Sequence, residues 1–325
     1  MAQLGEFGLI RRYFERPVRD PQVALGVGDD AAVVRVAPQC ELVLAVDMMV
    51  ESRHFLVDAD PASLGHKVLA VNLSDIAAMG ARPRWALLAG ALPDGDERWL
   101  EAFSRGLFAL ADAHGVELIG GDTTRGPRNL CLTIAGEIPR GEAIRRSGAA
   151  AGDDIWVSGS LGDAMLALAA LQRRTALDAP AMAQARRRLD WPTPRVALGQ
   201  ALRGLASAML DVSDGLAGDL AHLLEASNVG AVVELSSVPR SPALAAKLEG
   251  SERALALDCL LAGGDDYELC FTAPSTRRDD VLKLGTPDTP LARIGSITPT
   301  IGELVVHDEQ GEPISSLPRG FDHFA

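Results

Sequence analysis

The chain has 325 residues, of which 31 are lysine or arginine and 44 are aspartate or glutamate, leaving a net charge of −13. That balance excludes the basic face of a nucleic-acid footprint, and 47% hydrophobic residues exclude a disordered chain. The length suits about two domains, no run reaches the ~18 apolar residues of a membrane span, and Cys40, Cys131, Cys259 and Cys270 show no zinc or C-x-x-C spacing.

The N-terminus lacks the basic start and apolar core of a signal peptide, so a soluble protein of the reducing cytoplasm is expected. Residues 6–14 have helical apolar spacing. Residues 32–36 and 41–47 are β-rich runs around Pro38-Gln39 and read as a hairpin. Asp60-Pro61 reads as an N-cap with proline at the first helical position, opening a helix to about Met79 that Gly80 stops. Residues 85–92 read as a strand, and 96–113 as an amphipathic helix with Trp99, Leu100, Phe103, Leu107 and Leu110 on one face. A short strand, 116–119, runs into Gly120-Gly121-Asp122, and 129–138 forms another.

A stretch rich in glycine, alanine and arginine at 141–153 marks a boundary, giving domains at 1–145 and 146–325. The second has strand patterns at 154–158, 207–212, 230–235, 267–273, 291–297 and 303–307. Helix patterns fall at 161–173, 180–189, 194–203, 214–227, 241–249 and 277–284. The fold class is therefore α/β, two domains that are each a sheet covered by helices.

Six segments place aspartate beside glycine or at an expected strand end: Gly26-Val-Gly-Asp-Asp30, Val46-Asp47, Ser74-Asp75, Gly120-Gly-Asp-Thr-Thr124, Asp211-Val-Ser-Asp-Gly215 and Gly263-Gly-Asp-Asp-Tyr-Glu268. Carboxylate oxygens suit magnesium. Two like charges 4 Å apart repel by roughly 4 kcal/mol at an effective dielectric of 20, so convergence of these segments implies a cation between them. Gly26-Val-Gly-Asp-Asp-Ala31 imitates a dinucleotide fingerprint, but the residues after it are β-type where that fingerprint needs a helix. Lys67, Lys247 and Lys283 are the only lysines and none stands in a P-loop, so nucleotide phosphates would fall to backbone amides, arginine and metal.

Gly120–Thr124 could turn its amides toward an anion with Asp122 beside it, or be an ordinary turn. Ser213 reads as the N-cap of a helix whose free amides favour anions, against caps without chemistry. Asp75 falls inside an expected helix, where aspartate is usually solvated or paired with arginine. Arg145-Arg146 is a phosphate clamp or a solvated basic pair. His54 has no neighbour at metal-ligand spacing and reads as a satisfied structural histidine.

In order and spacing, these segments, with His54-Phe55, Leu73-Ser-Asp-Ile-Ala-Ala-Met-Gly-Ala-Arg-Pro83, Arg146-Ser-Gly and Gly320-Phe-Asp-His-Phe324, resemble the thiamine-monophosphate kinase family. That family belongs to the superfamily of aminoimidazole ribonucleotide synthetase and selenophosphate synthetase. The resemblance runs end to end and implies a PurM-like fold, an N-terminal sheet domain that dimerises and a larger C-terminal α/β domain. It implies transfer of the γ-phosphoryl of ATP to thiamine phosphate with several magnesium ions, potassium being a candidate further cation. Metal ligands would be Asp30, Asp47, Asp75, Asp122, Asp211 and Asp214. Nucleotide contacts would be Gly121, Asp122, Arg146 and Ser213, with Asp47, Asp122 and Arg146 carrying catalysis. His54, Asp265 and Phe321 would hold thiamine phosphate. The implied partners are these two substrates and a second copy of the chain, without nucleic acid or membrane.

Two positions depart from the family pattern. Ala45-Val46 stands where a hydroxyl residue usually precedes Asp47, and Asp265 where glutamate is usual. A phosphate monoester has a second pKa of about 6, so the acceptor oxygen is largely ionised and needs no general base. The competing readings are a sister ATP-dependent synthetase, a non-catalytic sensor of nucleotide or thiamine phosphate, and aspartates that never converge.

Overall fold

The computed structural model describes residues 5–318 and 320. It divides the chain into a first unit, residues up to Ile76 with Ala81–Gly141, and a second, Ala77–Gly80 with residues from Glu142 on. The first unit runs α1 (Glu6–Tyr13), β1 (Val23–Leu25), β2 (Val33–Val34), β3 (Cys40–Val50), α2 (Pro61–Ala78), β4 (Arg82–Leu92), α3 (Glu97–His114), β5 (Glu117–Arg125) and β6 (Asn129–Pro139). Its main sheet has the order β3-β6-β4-β5, antiparallel except for the parallel β4–β5 pair.

α2 is buried along most of its length, with Val68, Leu69, Leu73 and Ile76 almost wholly enclosed and Ser63, Lys67, Asn72 and Ser74 buried beside them. It meets α3 backbone to backbone: a Cβ at Gly65 would lie 2.1 Å from the Phe103 carbonyl oxygen, and one at Gly106 1.8 Å from that of Ala62. Asp96 caps α3 by accepting from the Arg98 amide at 2.9 Å, and Gly115 ends it in the left-handed conformation.

One face of the sheet buries Leu130, Leu132 and Ile134. The other is open: Leu44, Val46 and Met48 are 63%, 60% and 54% exposed, and across from them lie Ala135, Thr133 and Cys131. Leu87, paired with Thr133, extends this apolar face onto β4.

Two expectations change here. The hairpin of 32–36 with 41–47 does not form. Val33–Val34 pairs with Val23–Leu25, the Arg35 amide bonds the Gln22 carbonyl, and the Ala37 amide bonds Glu137 Oε1 at 2.6 Å. β3 instead gives all 11 residues to β6, a longer ladder than any local turn offers. Gly120–Thr124 is not a turn either: β5 continues through it in parallel register with β4, from Leu87–Gly120 to Leu92–Arg125.

The second unit runs β7 (Asp153–Ser158), α4 (Asp163–Leu171), α5 (Ala179–Asp190), α6 (Val196–Ala201), β8 (Ala208–Val212), α7 (Leu216–Ser227), β9 (Gly230–Glu234), α8 (Pro242–Glu249), α9 (Arg253–Leu257), β10 (Glu268–Pro274), α10 (Arg278–Leu282), β11 (Leu291–Thr298) and β12 (Leu304–His307). The sheet order is β12-β9-β11-β7-β10-β8, antiparallel but for β12–β9. β7 and β8 are buried at every residue, and β10 at all but its last, each a short apolar stretch with buried polar residues such as Asp154, Asp211 and Glu268 at or near its ends.

α9 and the π-helical turn that follows it, Asp258–Ala262, had no counterpart in the sequence reading; a five-residue helix and a π turn leave little 3.6-residue period to detect. Cys259 and Cys270 lie in this core, where burial pushes each thiol up to about 12. Cys40 and Cys131 are half-buried. Among the described residues, no helix is long and apolar enough to cross a membrane.

Candidate active site

In the second unit the structure brings two of the sequence motifs together. Asp211-Val-Ser-Asp-Gly215 leaves the end of β8, and Gly263–Tyr267 leads into β10, its antiparallel neighbour. The Asp265 amide donates to the Ser213 carbonyl at 2.9 Å and the Tyr267 amide to that of Val212 at 2.8 Å. Gly264 is required by this approach, since a Cβ there would sit 2.4 Å from the Ser213 oxygen. Asp265 and Tyr267 both hold positive φ, 68° and 50°. Such conformations cost a non-glycine residue about 1–3 kcal/mol and persist only where the surroundings impose them.

The surroundings do so through two buried carboxylates. Asp266 accepts the Gly162 amide at 2.9 Å, and complete burial pushes its pKa well above the usual carboxylate range. Glu268, fully buried, accepts from Arg195 Nε at 2.7 Å, Arg188 Nη2 at 2.6 Å and Ser158 Oγ at 2.5 Å. Burial works against the charge of Arg188, but Glu268 and Asp266 beside it more than offset this and hold its pKa up. Removing one partner from such a buried cluster costs far more than a surface ion pair.

Asp219, in the first turn of α7, reaches back to the first loop. Its Oδ2 accepts the amides of Ser213 and Asp214, each at 3.0 Å. Ser213 is therefore not the N-cap; Gly215 holds that position without a side-chain bond. The amides of Ser213 and Asp214 ahead of the helix are thus taken by the chain's own carboxylate. Burial, aided by the charges of Asp211 and Asp214, pushes Asp219 up to about 7. Asp211, Asp214 and Asp219 place hard-oxygen donors of the type magnesium prefers in one loop and the helix after it, but the three are not grouped to hold an ion together.

Arg146 is exposed, and its carbonyl accepts from Ser227 Oγ at 3.0 Å at the far end of α7. A helix of 12 residues spans about 18 Å, so the backbone of Arg146 is well separated from Asp214.

In the first unit, Asp30 is exposed in a turn, its amide bonded to Asp29 Oδ1 at 2.8 Å. Asp75 is partly exposed on the mostly buried α2, next to Asn72 Oδ1 and Ser74 Oγ, two buried oxygens without a hydrogen-bond partner. His54 Nδ1 accepts the Val50 amide at 2.9 Å in the tight turn after β3, as a structural histidine would. Gly121, at φ 155°, lies so close to β4 that a Cβ would be 1.9 Å from the Leu88 oxygen; packing alone demands glycine there.

Asp47 on β3 and Asp122 on β5 occupy opposite edges of the sheet, in neighbouring rows through Leu132 and Leu88. Three strand spacings make that about 14 Å. Asp47 shares the face of Leu132, whereas Asp122 shares the open face of Ala89. Among the described residues no group of three or more His, Cys, Asp or Glu is placed to hold a metal. Phe321 lies outside the described residues. Asp219, Tyr267 and the Glu268 cluster were not singled out from sequence. An acidic residue in the first helical turn after a strand-end loop was the available signal for Asp219.

Comparison with known proteins gives the same outline. Residues 28–138 match the model of the AIR synthase related protein N-terminal domain, and residues 150–307 that of the C-terminal domain. The chain is 47% identical over 326 residues to the thiamine-monophosphate kinase of Escherichia coli strain K12, covering 99% of this chain and 98% of that one. To the thiamine-monophosphate kinase of Bacillus subtilis strain 168 it is 33% identical, covering 99% and 100%. The crystal structure of thiamine-monophosphate kinase from Stenotrophomonas maltophilia K279a is similar at TM-score 0.85 and 48% identity, over 96% of this chain and 98% of that one. That of AaThiL complexed with AMPPCP and TMP is similar at TM-score 0.77 and 30% identity, over 98% and 97%. The chain, with its two AIR synthase related domains, belongs to the thiamine-monophosphate kinase family.

Proposed function

We propose that this chain uses ATP to phosphorylate thiamine phosphate, giving thiamine diphosphate and ADP by direct in-line transfer in the cytoplasm. The observation that carries this reading is the end-to-end likeness to thiamine-monophosphate kinases, one relative having been solved with AMPPCP, an ATP analogue, and TMP. Asp30, Asp47, Asp75 and Asp122 of the first unit and Asp211 and Asp214 of the second would hold magnesium. Gly121, Asp122, Arg146 and Ser213 would contact the nucleotide, and His54, Asp265 and Phe321 the acceptor. When bound, magnesium supplies charge neutralisation between two polyanions, while the protein's share is positioning and electrostatics. The acceptor oxygen is already ionised, which agrees with a His54 whose Nδ1 is committed to the backbone.

Incubating the protein with ATP, magnesium and thiamine phosphate, with and without potassium, tests the reading by chromatography of the products. ADP without thiamine diphosphate would point to a sister synthetase, and ligand binding without ADP to a sensor.

The working form is proposed to be a homodimer paired through the open sheet face. Asp47 and Asp122 lie too far apart, and on opposite faces, to share one ion within a chain, so a second copy is one source of further carboxylates. The exposed row Leu44, Val46 and Met48 supports the same surface, because contiguous apolar patches commonly mark interfaces. Leu44→Glu is expected to shift the protein from dimer to monomer in sedimentation at micromolar concentration and to lower turnover with it. A dimer unaffected by the substitution would move the interface elsewhere.

A further inference from the structure

The segment Asp265-Asp266-Tyr267-Glu268 alternates in what its side chains do. Asp266 and Glu268 are buried and fasten the loop to Gly162 and to the Arg188–Arg195 pair. Asp265 and Tyr267 are half-buried, and Tyr267 Oη donates to Asp265 Oδ1 at 2.8 Å. Both hold left-handed backbone, a region L residues enter reluctantly. That hydroxyl takes no part in the strand pairing. β10 begins after Tyr267, at Glu268, and its pairing with Val212 on β8 is made by backbone alone.

A strained tyrosine whose hydroxyl engages the side chain two residues earlier is a device for orienting that side chain. A carboxylate repels the phosphate end of thiamine phosphate, so on the kinase reading Asp265 would meet the cationic thiazolium or the amino-bearing pyrimidine. We propose that Tyr267 is a positioning residue for the acceptor: its hydroxyl fixes the Asp265 carboxylate in the orientation that receives this cationic, amino-bearing part. The inference rests on the kinase reading and adds a residue through which acceptor affinity is set.

Tyr267→Phe deletes one oxygen and keeps the ring. Hydrogen bonds to charged groups are worth enough to predict about a tenfold rise in KM for thiamine phosphate, with kcat within about twofold and KM for ATP unchanged. Equilibrium binding of thiamine phosphate should weaken by the same factor. In an Asp265→Gly background, which keeps positive φ accessible, adding Tyr267→Phe should change nothing further, because the tyrosine acts through the carboxylate.

An unchanged KM for thiamine phosphate in Tyr267→Phe overturns the inference, and so does an equal weakening with and without Asp265. Either result in an otherwise active kinase leaves the kinase reading intact. A wild-type protein that makes no thiamine diphosphate overturns both.

Discussion

Asp47→Asn is expected to lower the rate of thiamine diphosphate formation at least about a hundredfold, the scale on which removal of one preorganised charge-stabilising group acts. The substitution keeps shape and removes one negative charge from the proposed metal ligands. Asp47 lies on β3, whose pairing with β6 is made by backbone hydrogen bonds over its full length, so register and fold should survive. Circular dichroism and thermal unfolding close to wild type, together with lost turnover, would place the effect at the site. Raising magnesium should restore little, since the missing group is a ligand and not a screen. Turnover near wild type at ordinary magnesium would remove Asp47 from the proposed set.

Asp219→Asn is expected to do the reverse to stability. Burial and the charges of Asp211 and Asp214 raise the folded-state pKa of Asp219 from 3.8 to about 7. A group raised in this way adds stability that is full below its unfolded pKa and is lost as pH rises through its folded pKa. The loss therefore develops between about pH 4 and 7 and is complete above it, and three pKa units correspond to about 4 kcal/mol.

Asparagine can still accept the Ser213 and Asp214 amides through its carbonyl oxygen, but carries no charge to bury. In chelator, the variant should melt several degrees above wild type at pH 8 and lose that advantage toward pH 4, on the usual scale of about 2–4 °C per kcal/mol for a chain of this size. Kinase activity should fall, since the loop bearing Asp214 loses part of its acidic donor set. A lower melting temperature at pH 8 would mean that the ionic cap on the two amides outweighs the cost of crowding three carboxylates.

The parts of this protein that sequence made legible are those governed by local pattern. β7, β8 and β10, buried along nearly their whole length, show in sequence as short β-rich stretches with an apolar middle, and α3 declares itself by its Asp96 cap, its stripe and Gly115. Val33–Val34 is a strand as expected, but its partner differs because pairing is decided by distant competition: β6, about ninety residues on, claims the whole of β3. Gly120-Gly121 looks like a breaker until β4 is beside it, at a distance only glycine permits.

The site shows the same division. The order of the acidic segments was visible, and the structure joins Asp211–Gly215 to Gly263–Tyr267 by backbone hydrogen bonds. That Asp219 would fold back onto two amides, or Tyr267 onto Asp265, has no periodic signature, because side-chain reach depends on backbone geometry that spacing does not encode.

The half-buried Cys131, opposite Met48 in the middle of the sheet, turns that surface into its own reporter. The two cysteines of the second unit are too deeply enclosed, and too weakly acidic, to compete for an alkylating agent at neutral pH. With Cys40 changed to serine, iodoacetamide labelling would follow a single thiol. On the proposed dimer, its rate should climb as the protein is diluted, giving a chemical clock for association.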